Sequence, residues 1–403
     1  MENEDYLALR EQFGSPIFVY EEAKLRDAAT EMLSFKAPFG LKIRYAMKAN
    51  SNRNILQIFD SMGIHIDASS EYEAQRAILA GIDPSKILLT SQEIPNDIKK
   101  TVDTGIEYNA TSLHQLEEYG KAFRGGNISV RINPGEMGKD SSSHDKTKVN
   151  GEDAGFGIQH DSLIDAKGII SKYNLKVIRL HTHIGSGSDP EAWAEAAKVS
   201  SSFLKEFPEA TILNLGGGFK VGRMPGEKNA NIAEISERVS KMLEDFHAET
   251  GRKIFLELEP GTFLTANAAS ILATIQDVTI DVNKILKLNC GMSEIIRPAL
   301  YGAEHTLTVI PATERPEEYE EAIVIGHACE HADVLTVLKP RKMQRAQIGD
   351  ILLIGGAGAY CSSMSTKNYC SFPEAAEVMI DLNGKARLIR KRQTMQQMIQ
   401  NDL

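Results

Sequence analysis

The chain has 403 residues, of which 42% are hydrophobic and 25% charged, as is ordinary for a soluble globular protein of two or three domains. Its net charge of −10 argues against nucleic acid as the main partner, and no uninterrupted apolar run of about 18 residues predicts a membrane span. The acidic N-terminus lacks a secretory signal and the cysteines form no Cys-x-x-Cys pair, so we expect a cytoplasmic protein without a zinc site.

In chain order, the first predicted element is a strand at 16–20, and a long α/β region follows it. From about residue 40 to 265, short apolar strands alternate with amphipathic helices, which is typical of parallel βα units. Eight such strands suit a (β/α)₈ TIM-type barrel, and a doubly wound open sheet is the alternative. The predicted strands are 42–47, 63–67, 86–89, 105–108, 127–132, 176–182, 211–214 and 253–258, and the predicted helices are 53–62, 71–80, 112–123, 160–172, 190–205 and 230–250.

The pattern of predicted elements changes after residue 265, where β-rich segments follow one another with little helix between them. We predict a (β/α)₈ barrel domain over 25–265. We predict a β-sandwich or β-barrel domain from 1–24 and 266–403, which is antiparallel and joined by the N-terminal strand. The polar stretch 136–154 predicts a loop. The later β segments are 269–279, 321–326, 333–338, 351–354 and 376–390.

Lys48 is the most informative single residue, because it follows an apolar strand within Tyr-Ala-Met-Lys-Ala-Asn. Lysine rarely lies inside a protein, and partial burial lowers the pKa of its amine. Such an amine is a nucleophile toward carbonyl compounds, including pyridoxal phosphate. The alternative is a strand-end lysine whose ammonium reaches water.

Further polar residues follow the other predicted strands, and a barrel would bring all of these strand ends to one mouth. The glycines at 216–218 could wrap a phosphate with their backbone N–H groups or could form a tight turn. A carboxylate such as Glu259 could keep a pyridine nitrogen protonated or could form a salt bridge at the rim. The remaining strand-end residues are Asp67, Arg131, Asn133, His181, His183 and Glu257.

A series of motifs from Pro16 to about Thr394 resembles the fold-type III pyridoxal-phosphate-dependent decarboxylases, a family with an alanine racemase-like barrel. So many motifs in the same order are far more specific than any one of them. They are 45–50 (Tyr-Ala-Met-Lys-Ala-Asn), 181–186 (His-Thr-His-Ile-Gly-Ser), 216–219 (Gly-Gly-Gly-Phe), 259–261 (Glu-Pro-Gly), 291–301 (Gly-Met-Ser-Glu-Ile-Ile-Arg-Pro-Ala-Leu-Tyr), 329–330 (Cys-Glu), 356–360 (Gly-Ala-Gly-Ala-Tyr) and 363–369 (Ser-Met-Ser-Thr-Lys-Asn-Tyr).

The resemblance implies a cofactor, pyridoxal 5′-phosphate, and a set of residues that bind it. Lys48 would carry the cofactor through a Schiff base, His183 would stack on its ring, and Glu259 would face the ring nitrogen. The residues expected around the phosphate and the rest of the cofactor are Ser186, Gly217, Gly218, Gly261 and Tyr369.

The resemblance also implies a substrate-binding set and a homodimer with shared active sites. Arg297 and Tyr301 would grip a substrate carboxylate, and Tyr369 belongs to the same set. Cys329 and Glu330 would reach into the neighbouring subunit's site. Cys329 would be a catalytic proton donor there, and Glu330 would recognise the far amino group of the substrate.

The implied reaction is decarboxylation of meso-2,6-diaminopimelate to L-lysine and carbon dioxide, the last step of lysine biosynthesis. The family usually has arginine after Glu-Pro-Gly, where this chain has Thr262. Ornithine, lysine, carboxynorspermidine and a carrier-bound amino acid are therefore rival substrates. A cofactor-binding homologue without activity is a further interpretation, and an amino-acid racemase is a weaker one.

Overall fold

A computed structural model describes residues 1–135, 155–183, 185, 187–280, 282–337 and 339–403, so the predicted loop at 136–154 lies outside the described residues. The strands of the described residues are β1 (Ile17–Glu21), β2 (Leu41–Ala46), β3 (His65–Ala68), β4 (Ile87–Leu89), β5 (Glu107–Ala110), β6 (Asn127–Asn133), β7 (Ile158–Gln159), β8 (Lys176–His181), β9 (Ile212–Asn214), β10 (Phe255–Leu258), β11 (Ala269–Ile280), β12 (Lys284–Leu288), β13 (Leu307–Ile310), β14 (Tyr319–Ile325), β15 (Arg341–Gln344), β16 (Ile351–Ile354), β17 (Ala376–Ile380) and β18 (Ala386–Arg390).

Helices alternate with the strands in the first two thirds of the chain and are short in the last third. Among the described residues, none of them has the length and apolar character needed to cross a membrane. The helices are α1 (Asn3–Phe13), α2 (Glu22–Leu33), α3 (Arg53–Ser61), α4 (Glu71–Leu79), α5 (Ile98–Asp103), α6 (Leu113–Ala122), α7 (Leu163–Tyr173), α8 (Pro190–Phe203), α9 (Ile232–Thr250), α10 (Thr262–Thr265), α11 (Arg297–Tyr301) and α12 (Met395–Met398).

The chain divides into two compact units. The barrel unit comprises 27–221 and 228–264, and the sheet unit comprises 1–26, 222–227 and 265–403. The short segment 222–227 therefore leaves the barrel unit and belongs to the sheet unit, although barrel residues flank it on both sides.

The barrel unit contains a closed sheet of eight parallel strands in the order β2, β3, β4, β5, β6, β8, β9 and β10, and β10 pairs back with β2. Closure confirms the predicted barrel and excludes the open sheet. Each of the eight strands lies within two residues of its predicted range at either end. The short strand β7 pairs with β6 beside the closed ring.

Short polar side chains fix where several barrel helices begin. Asn52 accepts a hydrogen bond from the Asn54 N–H at 2.9 Å, and Ser70 accepts one from the Glu73 N–H at 3.1 Å. Ser112 caps α6 in the same way through the Gln115 N–H at 3.1 Å. These caps satisfy amide groups that a helix cannot pair internally, so each chain reversal after a strand leads into a helix at a defined residue.

The sheet unit contains a mixed sheet in the order β15, β14, β12, β11, β1, β17 and β18, and β16 also pairs with β11 and β13. The predicted N-terminal strand does join this sheet, antiparallel to β11 and parallel to β17. The sheet is mixed because β12 and β14 are also a parallel pair, whereas the remaining neighbours are antiparallel. Ile17 and Val19 of β1 pack with Leu9 of α1 in the core of this unit.

The strand predicted at 333–338 is wrong. Within 333–337, the part of this range that the structure describes, Val334 alone forms a β-bridge, an isolated one with Ile325. The carboxylate of Asp333 instead accepts the backbone N–H groups of Met292 at 2.7 Å and Ala328 at 2.9 Å, which holds the chain in a loop. A buried carboxylate that collects amide donors is incompatible with a regular strand at this position.

A cluster of buried ion pairs fills the barrel interior near the start of its strands. This basal cluster consists of Arg44, Glu107, Arg179 and Glu257. Arg44 donates to both oxygens of Glu257 at 3.1 Å and to Glu107 at 2.9 Å. Arg179 donates to Glu257 at 2.7 Å and also pairs with Glu107. The charges of the two arginines and two glutamates balance one another, and Lys42 adds a partly exposed cation 3.6 Å from Glu257.

Replacing Glu257 with Gln should destabilise the protein by about 3–5 kcal/mol, because it leaves two buried guanidinium groups with half of their partners. Burial alone would raise the pKa of Glu257, but Arg44 and Arg179 outweigh burial and lower it to about 2. The ionised carboxylate therefore stabilises the fold fully above about pH 4.5, and this contribution is lost as the pH falls toward 2.

Urea unfolding between pH 3 and pH 7 measures this contribution, and the surface variant Glu249→Gln serves as the control, because Glu249 pairs with Lys205 in solvent. An equal change in the free energy of unfolding for both variants would contradict the role of the basal cluster.

Candidate active site

A second layer of buried polar side chains lies at the ends of the barrel strands. Since side chains alternate along a strand, three of the six members of this layer lie two residues beyond a residue of the basal cluster. For example, Glu259 follows Glu257, and His181 follows Arg179. We call this layer the mouth ring, and its members are Asp67, Asn109, Arg131, His181, Asn214 and Glu259.

Glu259 is the central carboxyl group of the mouth ring. Asn214 Nδ2 donates to its Oε1 at 2.6 Å, and His181 Nε2 lies 3.4 Å from its Oε2. Burial and, after it, the charge of the neighbouring Asp67 raise the pKa of Glu259 to about 8, because Asn214 and the nearby cations offset them only in part. The carboxyl group is therefore largely protonated at neutral pH unless another positive charge lies beside it.

The mouth ring contains several buried polar atoms whose hydrogen bonding is incomplete, whereas the basal cluster has one in the described part of the chain, Arg44 Nη1. Among the described residues, Asp67 Oδ1, Arg131 Nη2 and His181 Nε2 are buried without a hydrogen-bond partner. Each such group costs about 1–3 kcal/mol relative to a paired one. Burial also lowers the pKa of Arg131 to about 10. A layer of this kind is suited to a polar ligand that completes its hydrogen bonds.

Lys48 lies in a single turn of 3₁₀-helix, Met47–Ala49, directly after β2. Its side chain is exposed, whereas Met47 and Ala49 are buried, so the structure agrees with the alternative in which the ammonium group reaches water and not with partial burial. The turn is tied to the Glu-Pro-Gly segment, since the Ala46 N–H donates to the Pro260 carbonyl at 3.2 Å. A Cβ atom on Gly261 would lie 3.2 Å from Ala49 Cβ. The sequence-predicted residues Lys48, Glu259 and Gly261 are thus brought together.

His183 and the triple glycine form the opposite part of the same strand-end layer. His183 Nδ1 accepts the Gly185 N–H at 3.0 Å, and burial lowers the pKa of His183 well below its usual value, so the ring is neutral. A Cβ atom on Gly216 would lie 3.3 Å from His183 Cδ2, and one on Gly217 would lie 2.3 Å from the Glu259 carbonyl oxygen. Gly216 and Gly218 have positive φ angles of 71° and 100°. Only glycine fits this loop. Ser186, which is also a predicted cofactor-binding residue, lies outside the described residues.

The sheet unit carries the remaining predicted site residues in two groups. Arg297 and Tyr301 are the two ends of α11, and the guanidinium lies 5.9 Å from the centre of the tyrosine ring. Cys329 and Glu330 are exposed, and Cys329 Sγ lies 3.7 Å from the Sγ of Cys370, the residue after Tyr369. The contact with Cys370 raises the pKa of the Cys329 thiol, so Cys329 keeps its proton at neutral pH.

Two buried residues that position these groups were not predicted from the sequence. Asn214 orients Glu259, as described above. Asp333 holds the loops around Gly291 and Gly326, and a Cβ atom on either glycine would lie 2.2 Å from its carboxylate. The signal for Asp333 was this pair of glycines, each in a segment that follows a strand, because close backbone approach to a side chain requires glycine.

The comparisons with known proteins identify the family. The family model described as "Pyridoxal-dependent decarboxylase, pyridoxal binding domain" matches residues 23–266. The chain belongs to the pyridoxal-dependent decarboxylases. It is a pyridoxal-phosphate-dependent carboxy-lyase, and its cofactor is pyridoxal 5′-phosphate.

Relatives of this decarboxylase are similar over nearly their whole length. The diaminopimelate decarboxylase of Streptomyces coelicolor is 31% identical over 97% of this chain and 90% of its own. The corresponding enzyme of Escherichia coli K12 is 30% identical over 99% and 96%.

Solved structures of enzymes with the same name are also similar to this chain. A crystal structure of diaminopimelate decarboxylase has a TM-score of 0.91 at 29% identity, covering 99% of this chain and 96% of its own. The Helicobacter pylori enzyme complexed with L-lysine has a TM-score of 0.86 at 26% identity and covers 98% of both chains.

Replacing Gly217 with Ala should weaken cofactor binding at least about tenfold, because the new methyl group would force the glycine loop away from the Glu259 carbonyl group. Equilibrium dialysis of pyridoxal phosphate measures the affinity. Gly168→Ala is the control, since a Cβ atom at this helical glycine meets nothing within 4 Å. Unchanged affinity in the Gly217 variant would show that the loop does not hold the cofactor.

Proposed function

We propose that this chain decarboxylates meso-2,6-diaminopimelate to L-lysine and carbon dioxide, as the last step of lysine biosynthesis. The observation that carries the proposal is the nearly full-length similarity, at about 30% identity, to several enzymes named diaminopimelate decarboxylase. The Helicobacter pylori structure with L-lysine adds support, because L-lysine is the product of the proposed reaction.

The residues of the barrel unit fit the cofactor. When bound, pyridoxal phosphate supplies an electron sink for the bond broken at the substrate's α-carbon. Lys48 holds it through its amine, and His183, neutral and next to the glycine loop, packs on the ring. Glu259 suits a protonated ring nitrogen, because a cation at this point returns the raised pKa of the carboxyl group toward its usual value.

The phosphate of the cofactor is held mainly by backbone groups in this proposal. Gly217 and Gly218 offer N–H groups from a loop in which a side chain would not fit. Phe219 anchors that loop, since its ring stacks on Trp193 with centroids 4.1 Å apart. Gly261, Ser186 and Tyr369 complete the set.

The substrate is held and protonated by residues of the sheet unit. Arg297 and Tyr301 bind a carboxylate, for which a planar guanidinium is well shaped, and Tyr369 adds a hydroxyl group. Glu330 recognises the distal ammonium group by its charge. Cys329 donates a proton to the α-carbon after carbon dioxide leaves, and the raised pKa of its thiol keeps that proton available.

The enzyme works as a cytoplasmic homodimer in this proposal, and each active site takes Cys329 and Glu330 from the other subunit. The exposure of both residues supports the assignment, because residues that complete a neighbour's site must lie on the surface of their own subunit.

A carbon dioxide release assay with four substrates tests the proposed reaction. We expect kcat/KM for meso-diaminopimelate to exceed that for ornithine, lysine and carboxynorspermidine by at least about tenfold, since a site built for a second charged carboxylate rejects substrates that lack it. A higher kcat/KM for any of the other three would replace the proposed substrate. Cofactor binding without release of carbon dioxide from any of them would favour an inactive homologue.

Replacing Lys48 with Ala should abolish the visible absorbance of protein-bound cofactor and reduce turnover below detection, because no other amine is expected to bind the aldehyde. Lys42→Ala is the matched control, since Lys42 lies on the same strand but its Nζ is 3.6 Å from Glu257 in the basal cluster. A pyridoxyl adduct found on another lysine after borohydride reduction and peptide mapping would disprove the assignment.

A further inference from the structure

Two arginines of the sheet unit are tied to consecutive backbone carbonyl groups, Arg223 directly and Arg297 through His305. Arg223, in the segment 222–227, donates from Nε to the Gly356 carbonyl at 3.0 Å. Arg297 donates from Nε to His305 Nε2 at 3.4 Å, and His305 Nδ1 donates to the Gly355 carbonyl at 2.8 Å. Both guanidinium groups are therefore fixed through one dipeptide, and we call them the arginine pair.

His305 orients Arg297 without neutralising it. Burial lowers the pKa of His305 to about 3, so the ring is neutral. With the Nδ1 proton donated to the Gly355 carbonyl, Nε2 is the acceptor for Arg297. The guanidinium keeps its full positive charge and its remaining N–H donors.

The arginine pair has no carboxylate partner in the part of the chain that the structure describes, since neither guanidinium takes part in a salt bridge there. Arg223 Nη2 is buried and has no hydrogen-bond partner among these residues. The nearby Glu227 accepts the backbone N–H groups of Arg223 at 2.7 Å and Met224 at 3.1 Å. Burial and, after it, the charge of Arg297 lower the pKa of Arg223 to about 10.

Two like charges held together beside a buried, unpaired donor form a site for an anion. A carboxylate suits it better than a spherical ion, because each planar guanidinium presents parallel N–H groups that match two oxygens. The chain also links the pair to the cofactor loop, since Arg223 follows Gly218 by only five residues.

We propose that Arg223, together with Arg297, binds the carboxylate that the substrate retains, and that Arg223 thereby selects dicarboxylic amino acids. This inference rests on the proposed function, because meso-diaminopimelate carries one carboxylate that is lost and one that remains in L-lysine. In this chain Thr262 stands where the family usually has arginine, and Arg223 provides a guanidinium group from another position.

Binding of L-lysine and cadaverine to the holoenzyme tests this role, because the two ligands differ only by the retained carboxylate. In Arg223→Gln we expect the Kd of L-lysine and the KM of meso-diaminopimelate to rise about 10- to 100-fold, as the loss of a charge-assisted hydrogen bond predicts. The Kd of cadaverine, the affinity for pyridoxal phosphate and kcat should change less than about twofold.

Two further variants complete the experiment. Arg238→Gln is the control, because Arg238 pairs with Glu191 and Glu234 on the surface, and it should change neither Kd. Arg223→Lys keeps the charge but loses the planar fork, so it should give an intermediate rise for L-lysine alone. It also provides a result if the glutamine variant does not fold.

Three outcomes would overturn the inference. An equal loss of affinity for L-lysine and cadaverine would make Arg223 purely structural, and an unchanged Kd for both would remove its role. Weaker binding of pyridoxal phosphate at an unchanged KM would assign the arginine pair to the cofactor phosphate. Failure of the proposed reaction is separate, since the wild-type protein would then release no carbon dioxide from meso-diaminopimelate whatever the ratio of the two Kd values.

Discussion

The barrel depends on how buried charge is divided between two layers of its interior. In the basal cluster, Arg44 and Arg179 pair with Glu107 and Glu257, and Arg44 Nη1 is the one buried atom of these side chains that has no hydrogen-bond partner among the described residues. In the mouth ring, buried groups such as Asp67 and Arg131 keep unpartnered atoms. The first layer stabilises the fold, and the second is left able to respond to a ligand. Stability and function are thus assigned to neighbouring positions of the same strands.

The chemistry of the family follows from this division. Within the mouth ring, burial and then the charge of Asp67 raise the pKa of Glu259, and Asn214, Arg131 and Lys48 offset this in part. A cationic ring nitrogen changes that balance, whereas the residues that we assign to the substrate come from the sheet unit. In that unit too, Arg223 and Arg297 keep charges that the described residues do not balance. Both units therefore offer uncompensated charge where we propose that ligands bind.

The positions of the eight barrel strands and the barrel itself could be predicted from the sequence, because buried parallel strands read as short apolar runs that alternate with amphipathic helices. The exposure of Lys48 could not, since an apolar strand before it says nothing about the turn that carries it. The strand predicted at 333–338 has suitable apolar residues, but the carboxylate of Asp333 accepts the backbone N–H groups of the nearby Ala328 and of Met292, 41 residues before it. Arg223 was missed because its significance lies in long-range contacts with Gly356 and the neighbourhood of Arg297.

The protonation state of Glu259 tests the central claim most directly. Difference infrared spectroscopy of the carboxyl group, with Glu259→Gln as the reference, can be recorded at pH 7 for the protein with and without pyridoxal phosphate. We expect a protonated carboxyl group in the cofactor-free protein, because burial and Asp67 raise its pKa to about 8, and an ionised one in the loaded protein. An ionised carboxylate in both states would contradict the claim that the mouth ring is completed by the cofactor.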